Sequence, residues 1–280
     1  MERNDDRENR SQKNVNPAEN GSPSFHSPLK KGGAARRVVS IALAILVASL
    51  VRFGIKEWRT DSNAETANTK EVLRRVAMEE LANADNYDAP LKRSEVTSGE
   101  PMVNIVVAYM RGMTDRSREY TRKLDEAGLY GLFDTERLTN DRDLSQSRDI
   151  MTKSLAAFRE HKSSCLKLFE SLRLDVDSAI AKNRNTRELR TFKSMLTGDG
   201  LKPLEFALEL EEKILLTLSE VVDFWESTKG TWQVVGDGIY FDKDEDMEKY
   251  NSILEKLNKL QEEQEALHAQ YNQSAMELLK

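Results

Sequence analysis

The feature that most constrains this chain is an uncharged apolar run from Val38 to Val51, which reads VVSIALAILVASLV. A helix needs roughly 20 predominantly apolar residues to cross the hydrocarbon core of a bilayer. This run reaches that length over 34–57 by including its flanking residues, among them arginines at both edges. An arginine at such an edge can place its aliphatic stem along the lipid and its charged head in water. We therefore interpret 34–57 as a transmembrane signal-anchor helix.

Two other interpretations of the run stay open. A cleaved secretory signal would have an unusually long leader of 37 residues and no clean A-x-A site, Val47-Ala48-Ser49 being the closest match. The pair Arg36-Arg37 is only a weak indication of twin-arginine export. A buried core helix of a soluble domain would suit the length of the run. The strongly polar leader argues against that interpretation.

Basic residues near the ends of the run favour one orientation in the membrane. The four that precede it are Lys30, Lys31, Arg36 and Arg37, whereas the basic residues that follow it are interspersed with acids. An excess of basic residues marks the cytoplasmic side of a membrane segment. We expect a single-pass protein of the cell membrane with a cytoplasmic N-terminus. The C-terminal domain would then lie outside the cytoplasm, in a periplasmic or extracellular space.

The rest of the chain divides into three parts by composition. Residues 1–33 are rich in Asn, Ser, Asp and Arg and have few apolar side chains, which is typical of a disordered cytoplasmic leader. Residues 58–100 contain apolar residues at helical spacing and then turn-forming residues, which predicts a short helix and a linker. Residues 101–280 carry helical patterns throughout and form the predicted bundle domain.

Composition favours helices and excludes nucleic-acid binding. Charged residues make up 32% of the chain, against only 13 glycines and 6 prolines. From residue 38 onward, 43 acidic residues outnumber 34 basic ones. Since phosphate contacts need a basic face, a nucleic-acid partner is not expected. Cys165 is the only cysteine, so the chain has no internal disulfide.

The apolar pattern predicts an elongated antiparallel helical bundle. One helix begins at Pro101 and reaches about Ala127, and another begins near Asp143 or Ser145 and reaches about Leu172. The stretch after Pro203 is apolar on more than one face, which is typical of a central helix. The chain is therefore predicted to be all-α apart from one small hairpin.

Residues 231–241 change period from helical to alternating. The glycines of Gly236-Asp237-Gly238 supply a short turn between two apolar strands, so this segment is predicted to be a β-hairpin. A lone hairpin is marginally stable, so it must lie on the helices. Aromatic residues at that junction are candidates for lining an apolar ligand pocket, with core packing as the alternative; they are Trp225, Trp232, Tyr240 and Phe241.

The last predicted helix, 247–279, has a heptad pattern over about four repeats. Its candidate interaction seam consists of Tyr250, Ile253, Leu257, Leu260, Leu267 and Tyr271. The polar residues Gln264 and Ser274 also fall on the seam. Such a seam suits antiparallel packing within the chain as well as a dimer, and the pattern leaves both alternatives open.

Two groups of polar residues have the spacing of metal ligands. His161 and Cys165 are four residues apart on one helical face, but no second pair accompanies them. We interpret them as a partly buried cysteine beside an exposed histidine. Asp242, Asp244 and Asp246 lack the glycine and glutamate of a calcium loop, so we interpret them as acids at a helix N-terminus. No metal, cofactor or catalytic residue is predicted.

These patterns predict a membrane-anchored helical protein rather than an enzyme. Its external domain is expected to serve as a protein-interaction or structural module. The expected partners are the lipid bilayer and another protein, either a second copy or a component of a membrane complex. The alternative is a small-ligand binding or sensing domain that acts with a partner membrane protein.

Overall fold

A computed structural model of the chain describes residues 64–96, 100–182, 186–197, 201–236 and 238–278. The predicted leader, 1–33, and the predicted anchor, 34–57, lie outside these residues. Among the residues that are described, no helix is both long enough and apolar enough to cross a membrane.

Within these ranges the chain is mostly helical, with a single two-stranded antiparallel hairpin, which confirms the predicted class. The helices are α1 (Ala64–Asp85), α2 (Pro101–Glu126), α3 (Thr135–Asn140), α4 (Ser145–Ala181), α5 (Thr186–Thr197), α6 (Lys202–Ser227) and α7 (Asp244–Leu278). The strands are β1 (Trp232–Val235) and β2 (Gly238–Phe241). A 3-10 turn, Leu129–Gly131, lies between α2 and α3.

The helices pack side by side as a bundle. Helix α4 packs on α2, α5 and α6, and α7 packs on α6. The α2–α4 pair is antiparallel, because contacts run from Tyr109–Phe169 at one end to Lys123–Glu160 at the other. As its apolar pattern predicted, α6 is buried on two sides, between α4 and α7.

Helix α4 is longer than the sequence pattern predicted. It continues as one helix of 37 residues to Ala181, beyond the expected end near Leu172. The physical reason is that the buried stripe continues through Val176 and Ala179. At its start, the Asp141 carboxylate accepts hydrogen bonds from the backbone N–H groups of Gln146 and Ser147, at 3.0 and 2.7 Å, and caps the helix.

Two further differences between the predicted and the observed helices are confined to short segments. Helix α3 was not expected; it is stabilised by the Asp134 carboxylate, which accepts from the backbone N–H of Arg137 at 2.9 Å. Helix α7 begins at Asp244 rather than Met247, so Asp244 and Asp246 lie in its first turn. Carboxylates there match the positive end of the helix dipole.

Polar contacts hold α1 and the following segment against α2. The Arg93 guanidinium forms a bidentate pair with the buried Glu80 carboxylate, at 2.8 and 3.0 Å, and also contacts Asp115 at 2.7 Å. The Arg118 guanidinium donates to the carbonyls of Asn83, Asn86 and Ala89. These contacts fix the segment 86–94 as a folded part of the domain.

The hairpin lies on the end of the bundle formed by α6 and α7. Its register pairs Trp232 with Phe241 and Val234 with Ile239, so these four side chains share the face that packs on the core. Gly236, in the predicted glycine turn, has φ +63°, a left-handed conformation that glycine adopts without steric cost. Gln233 and Tyr240 pair on the opposite face.

Candidate functional site

The strongest concentration of buried polar groups centres on Glu211 of α6. Its carboxylate accepts one hydrogen bond from the Tyr120 hydroxyl of α2 at 2.7 Å and one from the Gln264 amide of α7 at 3.0 Å. All three side chains are buried. Burial raises the pKa of Glu211 to about 7, although the two hydrogen bonds lower it. Glu211 therefore holds its proton up to near-neutral pH.

His161 and Cys165 of α4 lie on the other side of Tyr120. The His161 imidazole stacks on the Tyr120 ring, with centroids 4.5 Å apart and planes 8° from parallel. The Cys165 sulfur is 3.6 and 3.7 Å from the two ring nitrogens of His161. The expectation of an exposed histidine was wrong, because only 4% of His161 is exposed. The reason is that α2 covers this face of α4.

Burial keeps His161 and Cys165 in their neutral, unreactive forms at neutral pH. Burial lowers the pKa of His161 to about 4, so the imidazole is neutral. Burial raises the pKa of the Cys165 thiol to about 12, so the nucleophilic thiolate is not formed. The pair is thus a packed neutral contact rather than an activated nucleophile and base.

A surface groove of about 350 Å³ lies above this cluster, between α2 and α4. Side chains of the two helices bridge it. The Arg116 guanidinium donates to the Ser164 carbonyl at 3.1 Å, and the Lys123 ammonium pairs with Glu160 at 2.7 Å. The Lys123–Glu160 ion pair and the hydrogen bond from Arg116 to a carbonyl therefore cross the groove.

The acidic and sulfur-containing residues show no metal site in the described part of the chain. Among those residues, no group of three or more His, Cys, Asp and Glu side chains is placed to hold an ion. Asp242 and Asp244 are exposed at the start of α7, and His161 and Cys165 contact each other inside the core.

Three of the four aromatic residues that the sequence singled out meet at the hairpin junction. Trp225 is fully buried, and its ring centroid is 6.2 Å from that of Trp232. The Trp232 indole N–H donates to the Trp225 carbonyl at 2.8 Å. Phe241 packs on Tyr250 at 5.2 Å. Tyr240 lies on the other face of β2, away from this group. A ligand pocket at this junction stays a prediction.

The heptad seam of α7 lies against α6 of the same chain. Tyr250 and Leu257 are buried, and Ile253, Leu260 and Leu267 are half-buried; the side chain of Tyr271 lies outside the described residues. Ion pairing between Lys256 and Glu220 and the Gln264–Glu211 hydrogen bond show that α6 and α7 run antiparallel. The arrangement is the within-chain alternative of the two that the pattern allowed.

A second groove, of about 460 Å³, lies between α1 and the segment that follows it. Its lining is mostly apolar and includes Met78, Ala82, Ala89 and Pro90. Met78 is 45% exposed, and the neighbouring Leu91 is 43% exposed. Sequence reasoning missed this groove, because its second wall is a non-helical segment whose position no periodicity indicates.

Comparisons with known protein families, with curated protein sequences and with solved structures gave no match to this chain.

Glu211 and His161 make opposite contributions to stability as pH changes. The pKa of Glu211 is about 7 in the folded chain and 4.5 ordinarily, so its stabilisation is complete below pH 4.5 and is lost as pH rises through 7. The pKa of His161 is about 4 in the folded chain and 6.5 ordinarily, so its stabilisation is present above pH 6.5 and is lost as pH falls to 4. Between pH 4.5 and 6.5 the two effects oppose each other.

We expect single substitutions to expose each effect separately. In Glu211→Gln the free energy of unfolding should rise relative to the unmodified chain between pH 4.5 and 7, by on the order of 3 kcal/mol. In His161→Phe the relative stability should instead fall between pH 4 and 6.5, by a similar amount. Urea unfolding at a series of pH values measures both. If the free energy of unfolding of a variant changed with pH in the same way as that of the unmodified chain, the pH dependence could not be assigned to the replaced residue.

Proposed function

We propose that this chain is a membrane-anchored helical protein whose domain outside the cytoplasm is a protein-interaction module, without catalysis of its own. The observation that carries the proposal is the apolar groove of α1, lined by Met78, Ala82, Ala89 and Pro90. Exposed apolar side chains around a groove are typical of sites where another protein binds.

Hydrogen bonds to Arg118 and Asn83 hold the second wall of the groove in place. Arg118 donates to the carbonyls of Asn83 and Asn86, each at 2.7 Å, and to that of Ala89, which fixes the loop wall on the helix. The Asn83 amide also exchanges two hydrogen bonds with the Lys92 backbone, at 2.9 and 3.0 Å. A preformed site avoids the entropy cost of ordering a loop when the partner arrives.

The surroundings of the groove resemble the rim of an interface. Polar groups of Glu79, Asn86 and Lys92 border its apolar floor. An apolar centre with a polar, partly solvated rim is the usual anatomy of a protein interface. An amphipathic helix of a partner, with apolar side chains along one face, fits a groove of this kind.

The position of α1 in the chain supports a partner that is itself in the membrane. In the proposed arrangement the anchor, 34–57, precedes α1 by a few residues. Met78 is 14 residues beyond Ala64, which is about 21 Å along the helix axis. The groove would then lie close to the bilayer, within reach of the extramembrane part of a neighbouring membrane protein.

The buried polar cluster supports a role other than catalysis. His161, Cys165 and Glu211 hydrogen-bond or stack inside the core, and burial favours the neutral form of each near pH 7. Their contacts stabilise the packing of α2, α4, α6 and α7.

We expect Met78→Arg to abolish partner binding while leaving the domain folded. Arginine places a charge in the apolar floor, and Met78 is exposed enough that the bundle itself should lose less than about 1 kcal/mol. The measurement is cross-linking in intact membranes, followed by purification of the full-length chain and identification of the bound proteins.

The matched control is Leu174→Arg, which adds the same charge at a 61% exposed leucine on α4. A protein that is captured by the unmodified chain and by the Leu174 variant, but not by the Met78 variant, would support the proposed groove. Equal capture by all three would rule the groove out as the binding site. Recovery of the chain in the soluble fraction after cell lysis would contradict the proposed anchor.

A further inference from the structure

We propose that Glu211, with Tyr120 and Gln264, forms a proton-controlled latch that fastens the α6–α7 pair to α2. The latch is closed when the Glu211 carboxyl carries a proton, and it weakens when that proton leaves. This inference goes beyond the proposed interaction role, since it concerns how the domain itself is held together.

The geometry places one carboxyl at the meeting point of three helices. Glu211 on α6 is 3% exposed and has one polar partner from α2, at 2.7 Å, and one from α7, at 3.0 Å. Both partners, Tyr120 and Gln264, are themselves almost completely buried. Tyr120 and Glu211 are 91 positions apart in the chain, so their contact joins separate parts of the fold.

The ionised form of Glu211 has few stabilising contacts at this position. An ionised carboxylate has about four acceptor sites, and here two hydrogen bonds reach it. Its described hydrogen-bond partners are the neutral hydroxyl and amide groups of Tyr120 and Gln264. The two hydrogen bonds favour the ionised form, but a buried charge without an opposite charge is costly and burial outweighs them, so the neutral, protonated carboxyl is the more stable form here.

Titratable side chains lie near the latch on the neighbouring elements, and His268 of α7 lies one helical turn beyond Gln264. From α2 the latch carboxyl meets Tyr120, whose pKa burial raises well above its usual range. On α4, His161 stacks on the Tyr120 ring, and its imidazole is neutral at neutral pH. From α7 the carboxyl meets the Gln264 amide, and Tyr130 of the 3-10 turn lies near Tyr120.

The charged residues nearest to the latch are already paired with each other. Lys162 of α4 pairs with Glu212 of α6 at 2.7 Å. On the far side of Tyr120, Lys123 pairs with Glu160 across the groove at 2.7 Å. These pairs lie at the surface of the bundle, each cation beside its own carboxylate.

Hydrogen–deuterium exchange of the full-length chain in nonionic detergent tests the latch. The chain is compared at pH 6 and pH 8.5, after correction for the intrinsic pH dependence of amide exchange. In the unmodified chain, we expect amides of α6 and α7 around Glu211 and Gln264 to lose protection by about tenfold at pH 8.5. In Glu211→Gln, which is neutral at both pH values, that loss should disappear.

Glu212→Gln is the matched control, because it removes the adjacent, partly exposed carboxylate of the same helix. It should keep the pH dependence of the unmodified chain. A pH-dependent loss of protection that persists in Glu211→Gln, or that is absent from the unmodified chain, would overturn the proposal.

A second variant keeps the test decisive if Glu211→Gln does not fold. Tyr120→Phe retains the stacked ring but removes one of the hydrogen bonds that lower the pKa of Glu211. When exchange is followed over a series of pH values, the midpoint of the transition should then move to higher pH. Infrared spectra over the same series should show the protonated carboxyl band disappear at the same midpoint. An unchanged midpoint in Tyr120→Phe would also overturn the latch.

Discussion

Replacing Leu257 by aspartate should destabilise the domain by about 4 kcal/mol or more, the largest effect of any single substitution considered for this chain. Leu257 is completely buried on the face of α7 that packs on α6. Aspartate leaves a cavity there and puts an unpaired charge in it. We expect this variant to be unfolded at 37 °C and to show no cooperative unfolding transition when it is followed by far-ultraviolet circular dichroism.

Asn258→Asp is the control for this substitution. It adds the same charge at the neighbouring position of the same helix, where the side chain is exposed. Its unfolding free energy should stay within about 0.5 kcal/mol of that of the unmodified chain. Similar behaviour of the two aspartate variants would mean that this face of α7 does not pack as described.

Replacing Arg93 by methionine should cost roughly 3–5 kcal/mol, because it leaves the Glu80 carboxylate buried without its bidentate partner. Glu80 is fully buried, and Arg111 is its other nearby cation, at 3.7 Å. Urea unfolding at pH 7 provides the free energy. We expect the segment from Asn86 to Ser94 to lose its protection from proteolysis in the same variant.

Removing both charges should be less damaging than removing one. In Glu80→Gln with Arg93→Met no buried charge is left unpaired, so the double variant should recover a substantial part of the lost stability. Arg74→Ala, which removes an exposed ion pair with Glu71, should change stability by less than about 1 kcal/mol. A double variant less stable than Arg93→Met would show that Glu80 does not depend on this arginine.

Much of the fold could be predicted from the sequence, because regular spacing of apolar residues indicates most of the helices. The starts near Pro101 and Ser145, the buried character of α6 and the hairpin all follow from local patterns. Val176 and Ile180 continue the helical spacing after the expected end near Leu172, and the structure joins this stripe to the preceding stretch in one helix, α4. Local periodicity cannot show whether such a stripe finds a neighbour.

The polar cluster could not be predicted, since its members are far apart in sequence. Glu211 lies in the acidic stretch Glu209-Leu210-Glu211-Glu212 of α6, where the first glutamate is exposed and the pattern does not mark Glu211 as the buried one. Gln264 could be seen as an anomaly in the α7 seam, but its partner could not. The burial of His161 depends on Tyr120 of another helix. Long-range pairings of this kind are decided by tertiary packing, which one sequence alone does not reveal.

The wide separation of Tyr120 and Glu211 also affects the order in which the domain can be completed during synthesis. The contact joins residues 91 positions apart, and Gln264 follows another 53 positions later. Helices α2 and α4 precede α6 in the chain and can pair first, so Tyr120 already covers His161 while the Tyr120 hydroxyl still waits for Glu211 of α6. A nascent chain that stalls before residue 211 would therefore leave the sides of α2 and α4 that face α6, including the Tyr120 hydroxyl, accessible to chaperones and proteases.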